Sequence, residues 1–199
     1  MKKRIAIILA VFMISILVLS GCGGGDKADN TAAPGKTPSV NTADATKVEV
    51  PDITGEIIDT GDISALCPEG WKNYPQSDFT SDDEDAIDTK TLDFRKGAET
   101  EDDAYTTPGV TIRFYGVDWD FMAPEDNFEG EFKAWGPMDL NGKIASGLIG
   151  LADSEKFAIV YVDVDGGELE VMVQLEQFEQ TISLDDDDVL AILASLEIK

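Results

Sequence analysis

The chain has 199 residues, with 40 acidic and 15 basic side chains, no histidine and a formal net charge of −25 at pH 7. A field of this sign repels phosphate backbones and anionic lipid head groups, so the composition argues against nucleic acid and against direct docking on a membrane surface. It favours a soluble monomer, and the lack of histidine removes the usual base that activates a cysteine or serine nucleophile.

The first 21 residues have the layout of a signal peptide. Lys2, Lys3 and Arg4 give a basic start, and residues 5–19 contain Ser15 as their only polar residue. A membrane-spanning helix needs about 20 apolar residues, so this shorter run predicts a targeting segment instead of a permanent span.

The four residues Leu19-Ser20-Gly21-Cys22 follow the apolar run directly and resemble the lipobox of bacterial lipoproteins. The resemblance implies that Cys22 receives a diacylglyceryl group and becomes the first residue after cleavage. The protein would then be lipid-anchored at the extracytoplasmic face of the cell membrane. Each buried methylene contributes about 0.8 kcal/mol, so the acyl chains suffice without a spanning helix. The alternative is a chance cysteine after a conventional signal peptide.

Residues 22–51 are rich in Gly, Ala, Thr, Asp and Pro and contain almost no large apolar side chain. Such a segment cannot offset the entropy cost of ordering, so we expect a disordered linker. A flexible coil of about 30 residues spans roughly 30 Å, which would hold a folded domain, residues 52–199, clear of the lipid.

Apolar residues recur with a period of two in the folded part, which predicts strands. The first three are expected at Ile63–Cys67, Thr91–Lys96 and Val110–Tyr115. Asn141-Gly142 then predicts a hairpin between residues 132–140 and 143–151, and Gly166-Gly167 predicts one between residues 157–162 and 169–176.

The tail, Ser183 to Leu196, changes to a helical period. Val189, Ile192, Leu193 and Leu196 would share one stripe, with Ser183 or Asp185 as the cap. We interpret the run Asp185–Asp188 as negative charge at the positive end of the helix dipole, in preference to a metal site. The predicted fold class is α+β, an antiparallel sheet of about six to seven strands with a C-terminal amphipathic helix packed on it.

The segment Ile63 to Lys72 contains a strand followed by Pro68, Glu69, Gly70 and Trp71. It resembles the opening element of lipid-anchored, largely uncharacterised Gram-positive proteins of PsbP-like shape. The resemblance implies an antiparallel sheet flanked by helices and an accessory, non-catalytic role. With Cys22 lipidated, Cys67 has no disulfide partner, and we expect a small buried side chain there.

One stretch combines large apolar side chains with proline and acids. Aromatic and methionine side chains are enriched in interface cores, so these residues are candidates for a partner-binding face, although packing in the core beneath a long loop is the favoured interpretation. They are Trp119, Phe121, Met122, Phe128 and Trp135.

Three acidic clusters could hold a hard cation, but none has the full spacing of a calcium loop, which places oxygen ligands at three alternate positions before a glycine. Apolar residues interrupt the first two clusters, and in the third Gly166 comes too early after Asp163. Solvated loops are therefore the favoured interpretation, and no metal or cofactor is expected. The first cluster contains Asp82, Asp83, Glu84, Asp85 and Asp88, and the third contains Asp163, Asp165 and Glu168. The second, with Asp118, Asp120, Glu125 and Asp126, is the least weak metal candidate.

The chain contains none of the catalytic motifs that nucleophilic, phosphate-binding or zinc-dependent enzymes carry. The sequence therefore favours a non-enzymatic binding or accessory domain whose partner is an unidentified protein or envelope component. Two alternatives stay open. One is a calcium-responsive surface module that uses the acidic loops, and the other is a carboxylate-based hydrolase, since glycoside hydrolysis needs only two acids.

Overall fold

Strands dominate the computed structural model, which describes residues 44–116 and 124–199. One helix, α1 (Asp187–Ser195), lies near the C-terminus. In chain order the strands are β1 (Thr46–Val48), β2 (Gly55–Asp59), β3 (Ile63–Pro68), β4 (Trp71–Asn73), β5 (Thr91–Lys96), β6 (Gly109–Arg113), β7 (Glu129–Leu140), β8 (Lys143–Ala152), β9 (Glu155–Val164), β10 (Gly167–Gln174), β11 (Glu176–Gln177), β12 (Gln180–Thr181) and β13 (Glu197–Ile198). None of the helices in these two ranges is long and apolar enough to cross a bilayer.

Eight strands form the main sheet, in the order β1-β7-β8-β9-β10-β6-β5-β4. The predicted number of six to seven strands was therefore approximate. Strands β7 to β10 form an antiparallel meander, as do β4 to β6, and the two meanders join where β10 pairs with β6. A smaller sheet has the order β13-β3-β2, and β11 pairs with β12.

Strand β1 lies inside the segment predicted as a linker. It pairs in parallel with β7, with Thr46 opposite Met138 and Val48 opposite Leu140. The apolar side chain of Val48 packs against the core, which stabilises a strand that composition alone does not predict. The ordered chain therefore begins earlier than residue 52, while residues 22–43 of the predicted linker, with Cys22, lie outside the described residues.

Both predicted hairpins are present. Asn141 and Gly142 connect β7 to β8 with φ values of 58° and 94°, which a tight turn of this kind requires. The second turn is shifted by one residue: Val164 pairs with Gly167, so the turn residues are Asp165 and Gly166. This register places Leu169 opposite Val162 on the buried face, and a slip of one residue would turn the whole strand over.

The core lies between the main sheet, β3 and the helix. The predicted helical stripe is confirmed, because Val189, Ile192, Leu193 and Leu196 are all fully buried. The helix packs against β3 and β7, and Ile63, Ala65 and Cys67 of β3 belong to the same cluster. Cys67 is buried as expected, and burial, followed by the nearby charge of Glu56, raises the pKa of its thiol to about 11.

The aspartates that begin the helix hold it to the sheet through two tryptophans. Trp71 donates its indole N–H to Asp188 Oδ2, and Trp135 donates to Asp185 Oδ1, each at 3.0 Å. Burial alone would raise the pKa of Asp188, but the hydrogen bonds from Trp71 and Lys96 outweigh it and keep that pKa below its usual value. The expected caps are wrong: Asp186 is the N-cap, and its carboxylate accepts from Ser183 N.

Removing the Asp188 carboxylate tests this attachment. Asp188→Ala leaves the Trp71 indole and Lys96 without their shared acceptor, and we expect a loss of about 1.5–3 kcal/mol in the free energy of unfolding. Asp187→Ala is the matched control, because it removes the same charge from the same exposed helix turn and should cost less than about 1 kcal/mol. Equal losses for both variants in urea denaturation would contradict the attachment.

Candidate functional site

At β5 and β6 the main sheet has one apolar and one polar face. On β5 and β6, Leu92, Phe94, Val110 and Ile112 are fully buried against the core, whereas the alternate residues point the other way. We call this second side the outer face. It carries a hollow of about 500 Å³, the outer hollow, within the size range of ligand sites. Its lining consists of Tyr74, Pro75, Gln76, Ser77, Phe79, Asp93, Arg95, Glu101, Ala104, Tyr105, Thr111 and Arg113.

The buried carboxylate of Asp93 organises the floor of the outer hollow. Its Oδ1 lies 2.8 Å from Arg95 Nε and accepts a hydrogen bond from Thr111 Oγ1 at 3.1 Å. Its Oδ2 accepts from Gln76 Nε2 at 3.0 Å and from Arg95 Nη2 at 3.3 Å. Asp93 is 6% exposed, so this charge depends on these donors instead of water.

The same network extends from the floor to one wall. Arg95 Nη1 donates to Gln174 Oε1 at 2.7 Å, and the amide of Gln174 donates to Gln177. Gln177 Nε2 in turn donates to the backbone carbonyl of Tyr105 at 2.8 Å. The turn that carries Tyr105 is therefore held to the sheet by side-chain hydrogen bonds, which fix one wall of the outer hollow.

Aromatic rings stand on the walls. Phe79 is 86% exposed and Tyr105 is 79% exposed, although both lie beside a concave surface. The loop of Phe79 is held locally, since Asp78 Oδ1 accepts from Thr80 N at 2.8 Å and from Thr80 Oγ1 at 2.6 Å. Those bonds lower the pKa of Asp78. Tyr74 is tied down by a bond from its hydroxyl to Thr100 O at 2.9 Å.

Arg113 lies between the outer hollow and a neighbouring hollow of about 430 Å³. Its Nη1 donates to the weak acceptor Met172 Sδ at 3.1 Å. Among residues 44–116 and 124–199, no carboxylate lies within 4 Å of its guanidinium nitrogens. Its side chain also makes a hydrogen bond with Tyr115. Because an arginine has five N–H donors, Arg113 keeps donors that these two contacts do not use.

The structure separates the residues predicted to form a partner-binding face. Trp135 is only 7% exposed and belongs to the main core, as the favoured interpretation of core packing expects, and it is not available to a partner. Phe128 packs on the outer face against Ile159 and Tyr161, and its ring lies over Gly150. The other three candidates, Trp119, Phe121 and Met122, lie outside the described residues.

The acidic clusters form no metal centre in the part of the chain that the structure describes. In the first cluster, Asp83 Oδ1 accepts from Asp85 N and Asp88 accepts from Lys90 N, which are local turn contacts. Glu125 and Asp126 are exposed in a short 3₁₀ turn, Pro124–Asn127. Asp118 and Asp120, the rest of the weak metal candidate, lie outside the described residues.

The third cluster contains a like-charge pair. Asp163 and Glu168 are directly opposite each other on β9 and β10. Burial, followed by the charge of Asp163, raises the pKa of Glu168 to about 7, and burial also raises the pKa of Asp163. Ionising Glu168 is thus more costly in the folded state than in the unfolded chain.

Sequence reasoning missed the outer hollow, although one signal was present. After Arg4, the sequence contains only two arginines, Arg95 and Arg113, and both line this hollow. Each sits at an alternate, outward position of a predicted strand. In a chain so poor in cations, this placement points to one shared surface.

Comparison of the chain with models of known protein families and with curated proteins gives no match. The choice of a site therefore depends on geometry and chemistry. Among the described residues, we choose the outer hollow as the candidate site, because it places exposed aromatic side chains beside the Asp93–Arg95 ion pair.

The raised pKa of Glu168 gives a pH-dependent prediction. Its folded pKa lies above its unfolded value of about 4.5, so the stability associated with the protonated carboxyl is present at pH 4 and is lost as the pH rises towards 7. Glu168→Gln should therefore stabilise the protein at pH 8.5, by about 1 kcal/mol after allowance for solvent screening of a half-buried group. At pH 4 the variant should match the wild type.

Urea denaturation of both proteins at the two pH values measures this difference. The exposed Glu176→Gln is the control and should show the same small effect at both pH values. A Glu168→Gln effect that does not change with pH would show that the carboxyl pair carries no such penalty.

Proposed function

We propose that this protein is a lipid-anchored, non-enzymatic binding module at the extracytoplasmic face of the cell membrane, and that its ligand site is the outer hollow. Its partner is an envelope component or a protein presented at that surface. The lipobox resemblance at Cys22 supports the anchor. The net charge of −25 argues against nucleic acid as the ligand.

The observation that carries the proposal is the buried Asp93–Arg95 pair on the outer face. A buried ion pair adds little net stability compared with apolar side chains of similar volume, because desolvation offsets the attraction. Here the pair and its amide partners create a fixed polar floor beneath exposed aromatic rings. This arrangement is expected of a site that selects a ligand by preformed hydrogen bonds.

Binding is favoured over hydrolysis by the state of Asp93. Both oxygens of this carboxylate already face donors from Arg95, Thr111 and Gln76. A general acid or base must reach the proton that it transfers, and a carboxylate enclosed in this way is poorly placed to do so. Its role in the proposal is to position the arginine and the glutamine.

The anchor is tested by Cys22→Ser. Cells fed a clickable fatty acid should label the wild-type protein and leave the variant unlabelled, and the variant should move from the membrane fraction to the soluble fraction. Cys67→Ser is the matched control and should stay labelled and membrane-bound. An unlabelled wild-type protein would contradict the anchor.

The site is tested by a photo-crosslinking amino acid placed at Phe79 in the full chain on intact cells. We expect a discrete adduct, because Phe79 is 86% exposed at the wall of the outer hollow. The control position is Ile57, which is 58% exposed on β2 and does not line the hollow. Equal adducts at both positions, or none at Phe79, would contradict a ligand site there.

A further inference from the structure

The charges that line the outer hollow balance one another. Arg95 and Arg113 are positive, and Asp93 and Glu101 are negative. In a chain with 40 acids and 15 bases, a neutral hollow stands apart from its surroundings. An anionic ligand would meet two carboxylates and the overall negative field, and a cationic ligand would meet two guanidinium groups.

The hydrogen-bonding groups that remain open are of both kinds. An arginine has five N–H donors, and Arg95 and Arg113 have donors left over beyond those used within the structure. Acceptors are present beside them: Gln76 uses its amide N–H₂ on Tyr74 O and Asp93, and these bonds leave its Oε1 as an acceptor in the lining of the hollow. Thr111 donates its hydroxyl proton to Asp93 and keeps its lone pairs.

Mixed donors and acceptors match a hydroxyl group, because a hydroxyl both donates and accepts. A carboxylate or phosphate only accepts, and an ammonium only donates, so either would leave half of these groups unsatisfied. The floor of the outer hollow therefore suits a ligand with several neighbouring hydroxyls.

The aromatic walls complement such a ligand. Phe79 and Tyr105 line the hollow and are largely exposed. Exposed aromatic surface carries a cost in apolar hydration, which a ligand with flat C–H surfaces would remove by stacking on it. A pyranose ring has such a surface together with hydroxyls along its edge. It can stack on a ring while its edge reaches the arginine, amide and threonine groups below.

We propose that the outer hollow binds uncharged sugar residues of an envelope glycan. This inference rests on the proposed function and names the ligand class of that same site. The sugar ring stacks on Phe79 and Tyr105, and its hydroxyls form hydrogen bonds with the floor of the outer hollow, which Asp93 holds in place. Because the ligand is uncharged, neither the net charge of the protein nor a high salt concentration opposes its binding.

The test uses the full chain, purified in detergent, on a glycan array that contains neutral and uronate-bearing oligosaccharides. The strongest neutral oligosaccharide is then titrated by calorimetry. We expect saturable binding whose dissociation constant changes less than twofold between 50 and 500 mM NaCl. Phe79→Ala and Tyr105→Ala should each weaken it at least tenfold.

Phe178→Ala is the matched control, since Phe178 is 74% exposed and does not line the hollow, and it should leave the dissociation constant unchanged. Binding of acidic glycans only, or of none, would overturn the inference, as would neutral binding that Phe79→Ala leaves intact. If the Phe79 crosslinker captures a protein while no neutral glycan binds, the sugar assignment fails and the proposed function stands. If both experiments are negative, both proposals fail.

Discussion

Two adjacent cations on one strand stabilise the contacts on the two opposite faces of the main sheet. Arg95 and Lys96 are neighbours on β5, and the alternation of a strand sends them to opposite faces of the sheet. Lys96 binds Asp188 at 3.0 Å and lies over the ring of Trp71, so it fastens the helix to the apolar face. Arg95 pairs with Asp93 and fixes the floor of the outer hollow.

This division matters because positive charge is scarce in the chain. With 40 acids and 15 bases, most carboxylates cannot have a cationic partner. Asp185 is instead satisfied by the indole of Trp135, and Asp93 receives neutral donors in addition to Arg95. Indole, amide and hydroxyl groups thus donate many of the hydrogen bonds to carboxylates that lysine and arginine donate in a protein with equal numbers of acids and bases. They add no charge of their own.

The fold was largely predictable because its signals are local. Period-two alternation predicted β3 and β5 nearly to the residue and β10 with an offset of two residues, and Asn141-Gly142 marked its hairpin. The helical stripe from Val189 to Leu196 identified the buried side of the helix. The prediction missed β1, because this strand depends on pairing with β7, which is distant in the sequence. Nothing in the three residues of β1 indicates that pairing.

The candidate site was harder to predict for the same reason. Asp93, Arg95, Thr111 and Gln174 lie on three strands, and Gln76 is in a loop, so their meeting depends on strand order. The sequence of the stretch around Trp135 fits both a partner face and core packing, and only the strand geometry shows that this ring enters the core beside a bulge. Composition gave a clue only through the two arginines, whose shared surface appears once β5 is seen to pair with β6.

Magnetic resonance of the arginine side chains tests the central claim most directly, since Arg95 and Arg113 are the only arginines after Arg4. In the purified full-length chain, a neutral oligosaccharide is expected to shift the Nε–H signals of both arginines saturably. The indole signals of Trp71 and Trp135, on the opposite face, should stay fixed. Unmoved arginine signals at saturating oligosaccharide, or shifts confined to the indoles, would contradict it.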